Sequence, residues 1–135
     1  MRMHYRDFTR VSAPACGLAF LALASVSAPV PGETGAVAPE AFNNNCRTCH
    51  STKEGDNRMG PSLHKIIGRK PGTAPGYPNY SQGLKSSGIT WDETTLDRFI
   101  ANPDAVVPNN NMKPFKGVSD PAVRAKIIEY LKADS

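Results

Sequence analysis

Cysteine is scarce in this chain: 135 residues carry three, at positions 16, 46 and 49, so a disulfide framework is excluded. A structural zinc site is equally hard to assemble. Such a site usually takes four protein ligands, and outside the stretch 46–50 the chain offers only Cys16, His4 and His64. Strand-like alternation is sparse and no internal repeat is visible, which argues against a β-sandwich or a solenoid. Charge of one sign is also lacking. The formal net charge of +4 falls to about +2 once Arg2, Arg6, Arg10 and Asp7 are set aside, too weak a field for nucleic acid as a partner.

The N-terminus differs in composition from the remainder. Arg2, Arg6 and Arg10 make a basic start, and residues 11–30 are apolar and rich in small side chains, the pattern of a secretory leader. Cleavage after Ala28 satisfies the small-residue rule with Val26 and Ala28, although Pro29 follows directly. The expected organisation is therefore a leader over 1–28, a flexible segment over 29–38 and one domain over 39–135. The same apolar run is about long enough to cross a bilayer, so an uncleaved anchor facing the periplasm is the alternative. Cys16 has no lipobox leucine ahead of it and is discarded with the leader. That leaves two thiols for an exported, periplasmic domain.

Those thiols lie in Cys46-Arg47-Thr48-Cys49-His50, the spacing by which a c-type haem is attached. Two thiols on one turn can add to the two porphyrin vinyl groups, and the adjacent imidazole is then held against the iron. A thioredoxin-like redox pair would follow a strand in a βαβ pattern, and Phe42-Asn43-Asn44-Asn45 is no such strand. One covalently attached haem c, bound through Cys46 and Cys49 with His50 as an iron ligand, is the expectation.

Three helix-like patches flank long irregular chain, which makes the fold class all-α. The first begins with Pro39 at the first helical position and runs through Phe42 into the haem motif. The second opens on Thr90-Trp91-Asp92-Glu93, read as a capping box, sets Leu96, Phe99 and Ile100 on one face, and stops at Asn102-Pro103. The third starts at Asp120-Pro121 and stacks Val123, Ile127 and Leu131, with Ile128 and Tyr130 widening the stripe. Residues 51–89 hold seven glycines and four prolines and read as loops. Loops of that length in a small domain need a centre to pack around, and a buried porphyrin supplies one. The protein without haem is expected to be largely unfolded.

The other axial position of the iron decides between chemistry and electron transfer. Met59 lies too close behind the motif to reach the far porphyrin face. His64 reads as a loop-stabilising, hydrogen-bonding residue. Met112 sits in the aperiodic stretch 107–114, between two helices, where from the residues alone it is either a packing side chain or the sixth ligand.

From Phe42 to Lys132 the chain resembles the class I cytochromes c, and is similar to the mitochondrial cytochrome c and bacterial cytochrome c2 group. The resemblance is carried by Gly60-Pro61-Ser62-Leu63-His64, by Gly68 through Tyr77, by Trp91 through Asn102-Pro103 to Met112, and by Ile127 through Lys132. It implies a small fold of short helices and long loops wrapped around one haem, with Phe42 crossing against Ile127 and Tyr130. It also implies that Met112 is the axial thioether, that the Pro61 carbonyl accepts the His50 proton, and that Arg69, Tyr80 and Trp91 bind or orient the haem propionates. Three departures stand out. Phe99 replaces a usual tyrosine near the sulfur, Pro78 looks like a one-residue insertion before Tyr80, and the ligand loop after Met112 is one residue longer than usual.

A mono-haem, one-electron carrier follows, not an enzyme, working as a monomer between a donor and an acceptor that dock near the haem edge. Lys53, Lys65, Lys113 and Lys116 are the candidate docking charges for acidic redox partners. Two other classes remain at this point: a haem subunit permanently bound to a periplasmic dehydrogenase, and a ligand-binding or peroxidase-like haem protein. A membrane enters as a partner only if the N-terminal segment is retained.

Overall fold

The computed structural model describes residues 34–134, in which five helices are separated by irregular chain: α1 Thr34–Asn45, α2 Gln82–Lys85, α3 Glu93–Ala101, α4 Pro103–Val106 and α5 Pro121–Lys132. No strand occurs among the described residues. The leader, its alternative as an anchor, Cys16 and residues 29–33 lie outside them.

Helix α1 starts earlier than Pro39, so residues 34–38 are helical and Pro39 lies inside the helix. A proline there forfeits the bond to the Gly35 carbonyl. Burial of Ala38 and Phe42 offsets that loss. The helix delivers Asn45 directly to Cys46, whose N–H still bonds the Phe42 carbonyl at 2.8 Å.

The capping box read over Thr90–Glu93 is not the one that forms. Asp92 is the N-cap of α3, and its carboxylate accepts the Thr95 N–H at 2.7 Å. Trp91 is already committed elsewhere, because its N–H donates to the Arg69 carbonyl at 2.9 Å and its carbonyl accepts the Gly68 N–H at 2.7 Å. With Trp91 held against residues 68 and 69, the helix cannot begin before it. Leu96, Phe99 and Ile100 form the buried face, as the periodicity indicates. Asn102 then ends α3 and caps the short α4, whose first residue is Pro103.

Helix α5 has Asp120 as N-cap, accepting from the Ala122 N–H at 2.8 Å, and Pro121 in the first turn. It packs on both α1 and α3. The α1 crossing brings the Phe42 and Tyr130 rings to 4.8 Å between centroids. On the α3 side, Arg124 Nε lies 2.7 Å from Asp97 Oδ1 and Lys132 Nζ lies 2.8 Å from Glu93. Gly117 lets the chain return against α3, where Val118 N–H reaches the Ile100 carbonyl at 2.9 Å; a Cβ at 117 would overlap the Ala101 carbonyl.

Of the twelve buried apolar side chains that make the core cluster among the described residues, eight also line one cavity. The helices thus divide their buried surface between one another and this space.

Phe42→Ala should cost about 3–5 kcal/mol of unfolding free energy in the haem-loaded protein, and Phe42→Leu under about 1.5 kcal/mol. Thermal or denaturant unfolding of the two variants checks this; equal, small losses would mean that the α1–α5 crossing carries little of the stability.

Candidate functional site

The cavity opens to solvent, and the space within it and at its mouth totals about 1160 Å³. Cys46, Cys49 and His50 contribute to its wall from the turn that follows α1, and Met112 from the loop between α4 and α5. Leu84, Leu96, Phe99, Ile127 and Leu131 supply apolar lining.

His50 is buried and closely packed. Gly60 lies against its ring so tightly that a Cβ at position 60 would overlap the imidazole. Its Nδ1 lies 2.8 Å from the Pro61 carbonyl, which can only accept, so Nδ1 carries the proton and Nε2 keeps a lone pair. Burial chiefly holds the imidazole below its ordinary pKa; the Pro61 bond pushes the other way, and the Arg69 charge lowers it further. A neutral imidazole with one uncommitted nitrogen is the form that binds a metal.

Both cysteines are free thiols and partly exposed. Burial, with a smaller contribution from neighbouring Cys49, pushes the Cys46 thiol up to about 12. A redox-active pair needs a thiol whose pKa is lowered, so this environment opposes the thioredoxin-like reading.

The loop behind His50 is fixed by Arg69, whose two Nη atoms donate to the carbonyls of His64 and Ser62, both at 2.8 Å. The guanidinium also lines the cavity, and among the described residues no carboxylate forms an ion pair with it. A half-buried cation without a protein counter-charge suits a ligand with an anionic edge. Tyr80 stands on the same wall, accepting the Ala74 N–H at 3.3 Å, and burial raises its pKa, so its hydroxyl stays protonated. Trp91, 6% exposed, packs its ring 4.9 Å from Phe99. Two thiols, a free imidazole nitrogen, a thioether, apolar walls and an unneutralised arginine match the attachment points, iron, macrocycle and carboxylates of a haem c.

The eight site residues read from the sequence, Cys46, Cys49, His50, Pro61, Arg69, Tyr80, Trp91 and Met112, all line this cavity. His64 does not; its Nδ1 is 3.0 Å from Asp134 Oδ2. Met59 is 70% exposed at the rim. Lys113 departs from its expected role as a free docking charge, because its Nζ sits 2.5 and 2.6 Å from the two carboxylate oxygens of Asp104. That ion pair lowers the Asp104 pKa and largely cancels the lysine's field. Gly60 and Tyr77 escaped sequence reasoning. Tyr77 lines the cavity and donates its hydroxyl to the Met59 carbonyl at 2.7 Å, a contact that spans the loop and leaves no local signature.

Comparison with known proteins agrees with this chemistry. No protein-family model matches the chain. It is 46% identical over 96 residues to cytochrome c2 iso-2 of Magnetospirillum fulvum, covering 71% of this chain and 97% of that one. It is 36% identical over 110 residues to cytochrome c of Ginkgo biloba, covering 81% and 95%. Among solved structures, cytochrome cH from Methylobacterium extorquens superposes with a TM-score of 0.65 at 40% identity, covering 73% of this chain and 96% of that one.

Gly60→Ala should force the His50 ring aside and lower the stability of the haem-loaded protein by about 1–3 kcal/mol, the usual cost of overpacking. Denaturation followed at the Soret band tests this; an unchanged midpoint would show that the ring moves freely.

Proposed function

The chain belongs to the class I c-type cytochromes, mono-haem electron carriers with one covalently bound haem c, and on that premise we propose that His50 and Met112 are its two axial ligands. One observation carries the reading: an imidazole whose only uncommitted nitrogen is Nε2 and a thioether from a distant loop line one apolar cavity beside two free thiols. The bound haem supplies an iron that alternates between ferrous and ferric states.

The chain's residues determine how that exchange proceeds. His50, held by Pro61 and packed on Gly60, offers a nitrogen that barely needs to move. Met112 offers a soft sulfur that favours the ferrous state, and apolar neighbours such as Leu84 and Phe99 disfavour the added charge of the ferric state. Both effects raise the midpoint potential. Phe99 has no hydroxyl to donate toward the sulfur, so its electron density is not drawn off from that side. With both positions filled by the protein, no site remains for a small substrate, which supports a carrier and not a catalyst. Arg69 and Tyr80 hold the anionic edge.

Electrons enter and leave at the cavity mouth, where redox proteins dock. Lys53, Lys65 and Lys116 are exposed and form the steering charge toward an acidic partner, with Lys113 contributing little because Asp104 pairs with it. The apolar leader directs the domain to the periplasm. Among the described residues no helix is long and apolar enough to cross a membrane.

Met112→Ala should abolish the far-red absorption of a sulfur–ferric bond and lower the midpoint potential; an unchanged spectrum and potential would sink the ligand assignment. Raising ionic strength should slow electron delivery to the physiological partner, and more strongly in wild type than after removing Lys53 or Lys116. Salt-independent rates would remove the steering role.

A further inference from the structure

The loop that presents Met112 is tied to α4 on both sides of the methionine. Before it, the Asn110 side chain, 5% exposed, makes three bonds: its Oδ1 accepts the Met112 N–H at 3.0 Å, and its Nδ2 donates to the Val107 carbonyl at 3.0 Å and to Asp104 Oδ1 at 2.8 Å. The orientation of this amide is unambiguous. Only Oδ1 can accept from a backbone N–H, and only Nδ2 can donate to a carbonyl and a carboxylate. After it, Lys113 Nζ reaches the same Asp104 carboxylate. Asp104 is thus the point at which the residues two before and one after Met112 converge. The chain enters this arrangement through Asn109 in the left-handed region, at φ 60°. Asn111 adds a tether on the far side, donating to the Asn79 carbonyl at 2.5 Å.

A buried side chain that satisfies a backbone N–H has a function beyond filling space. Leaving the Met112 N–H unpaired costs more than the bond itself contributes. The Met112 backbone is therefore held in one place, and the reach of its sulfur is set by Asn110 and, through it, by Asp104.

We propose that Asn110 and Asp104 are positioning residues for Met112, forming a clasp that keeps the sixth iron position closed to outside ligands. The proposal rests on Met112 being the axial ligand. Residues of the clasp do not touch the cavity's contents by this route; they act through the methionine's backbone. Opening the loop frees the position without disturbing His50 or the attachment cysteines.

The test is imidazole binding to the purified ferric holoprotein, titrated by the Soret shift and by loss of the sulfur–ferric band. Asn110→Ala should raise the apparent imidazole affinity about tenfold, and Asp104→Ala about fivefold, the scale of a lost buried or charge-assisted hydrogen bond. Asn110→Ser, which keeps an acceptor for the Met112 N–H, should recover much of the difference. Asp120→Ala serves as the control for general destabilisation: it removes the cap of α5 and should lower the denaturation midpoint while leaving imidazole affinity at the wild-type value. Wild-type affinity in Asn110→Ala and Asp104→Ala would overturn the clasp. So would an Asp120→Ala effect as large as theirs, since loop opening would then only track overall stability. If Met112→Ala itself leaves the sulfur–ferric band intact, the ligand assignment has failed, and that outcome is separate from a failure of the clasp.

Discussion

The structure depends on apolar helix faces shared between a packed core and a cavity. Ile127 and Leu131 of α5 and Leu96, Phe99 and Ile100 of α3 are buried, yet all five border the cavity that receives the haem. A domain of this size has little interior to spare, and a large apolar plate bonded to its cysteine side chains completes what short helices cannot enclose alone. Cofactor and core are one object here. The bonds from Cys46 and Cys49 make the plate part of the chain, so its burial counts toward folding as a side chain's does.

Around that plate, polar contacts fix where each wall stands. Asp92, Asn102 and Asp120 cap three helices and set their starting points. Arg69 does two things at once: it pins the carbonyls of Ser62 and His64, next to the Pro61 that orients His50, and it presents positive charge to the cavity. Its burial is costly, as its lowered pKa reflects, and an anionic partner at that wall would relieve the cost. The same side chain therefore links the loop that orients His50 to the cavity wall.

Much of this was readable in the chain itself. The pair of thiols followed by histidine, the buried face of α3, the stripe on α5 and the meeting of Phe42 with Tyr130 follow from local spacing, from the resemblance, or from both. What escaped reading depends on contacts far apart in sequence. The cap of α3 moved to Asp92 because Trp91 is held by Arg69 and Gly68. Helix α1 extends back through Pro39 because burial outweighs one missing hydrogen bond. Lys113 reads from its sequence neighbours as a free surface charge, but the fold sets it beside Asp104, nine residues earlier. Asn110 sat in a run of asparagines with no periodicity, and only the folded loop separates the buried one from its exposed neighbours.

The packing of α1 on α5 joins the two ends of the described chain. Contacts of such long sequence separation form late, because the loop between them must first close. When the polypeptide emerges N-terminus first, the turn carrying both thiols meets the surrounding machinery well before Tyr130 and Leu131 exist to cover it. Biosynthesis thereby leaves an interval in which the attachment segment is an open peptide, and completion of the last helix ends it.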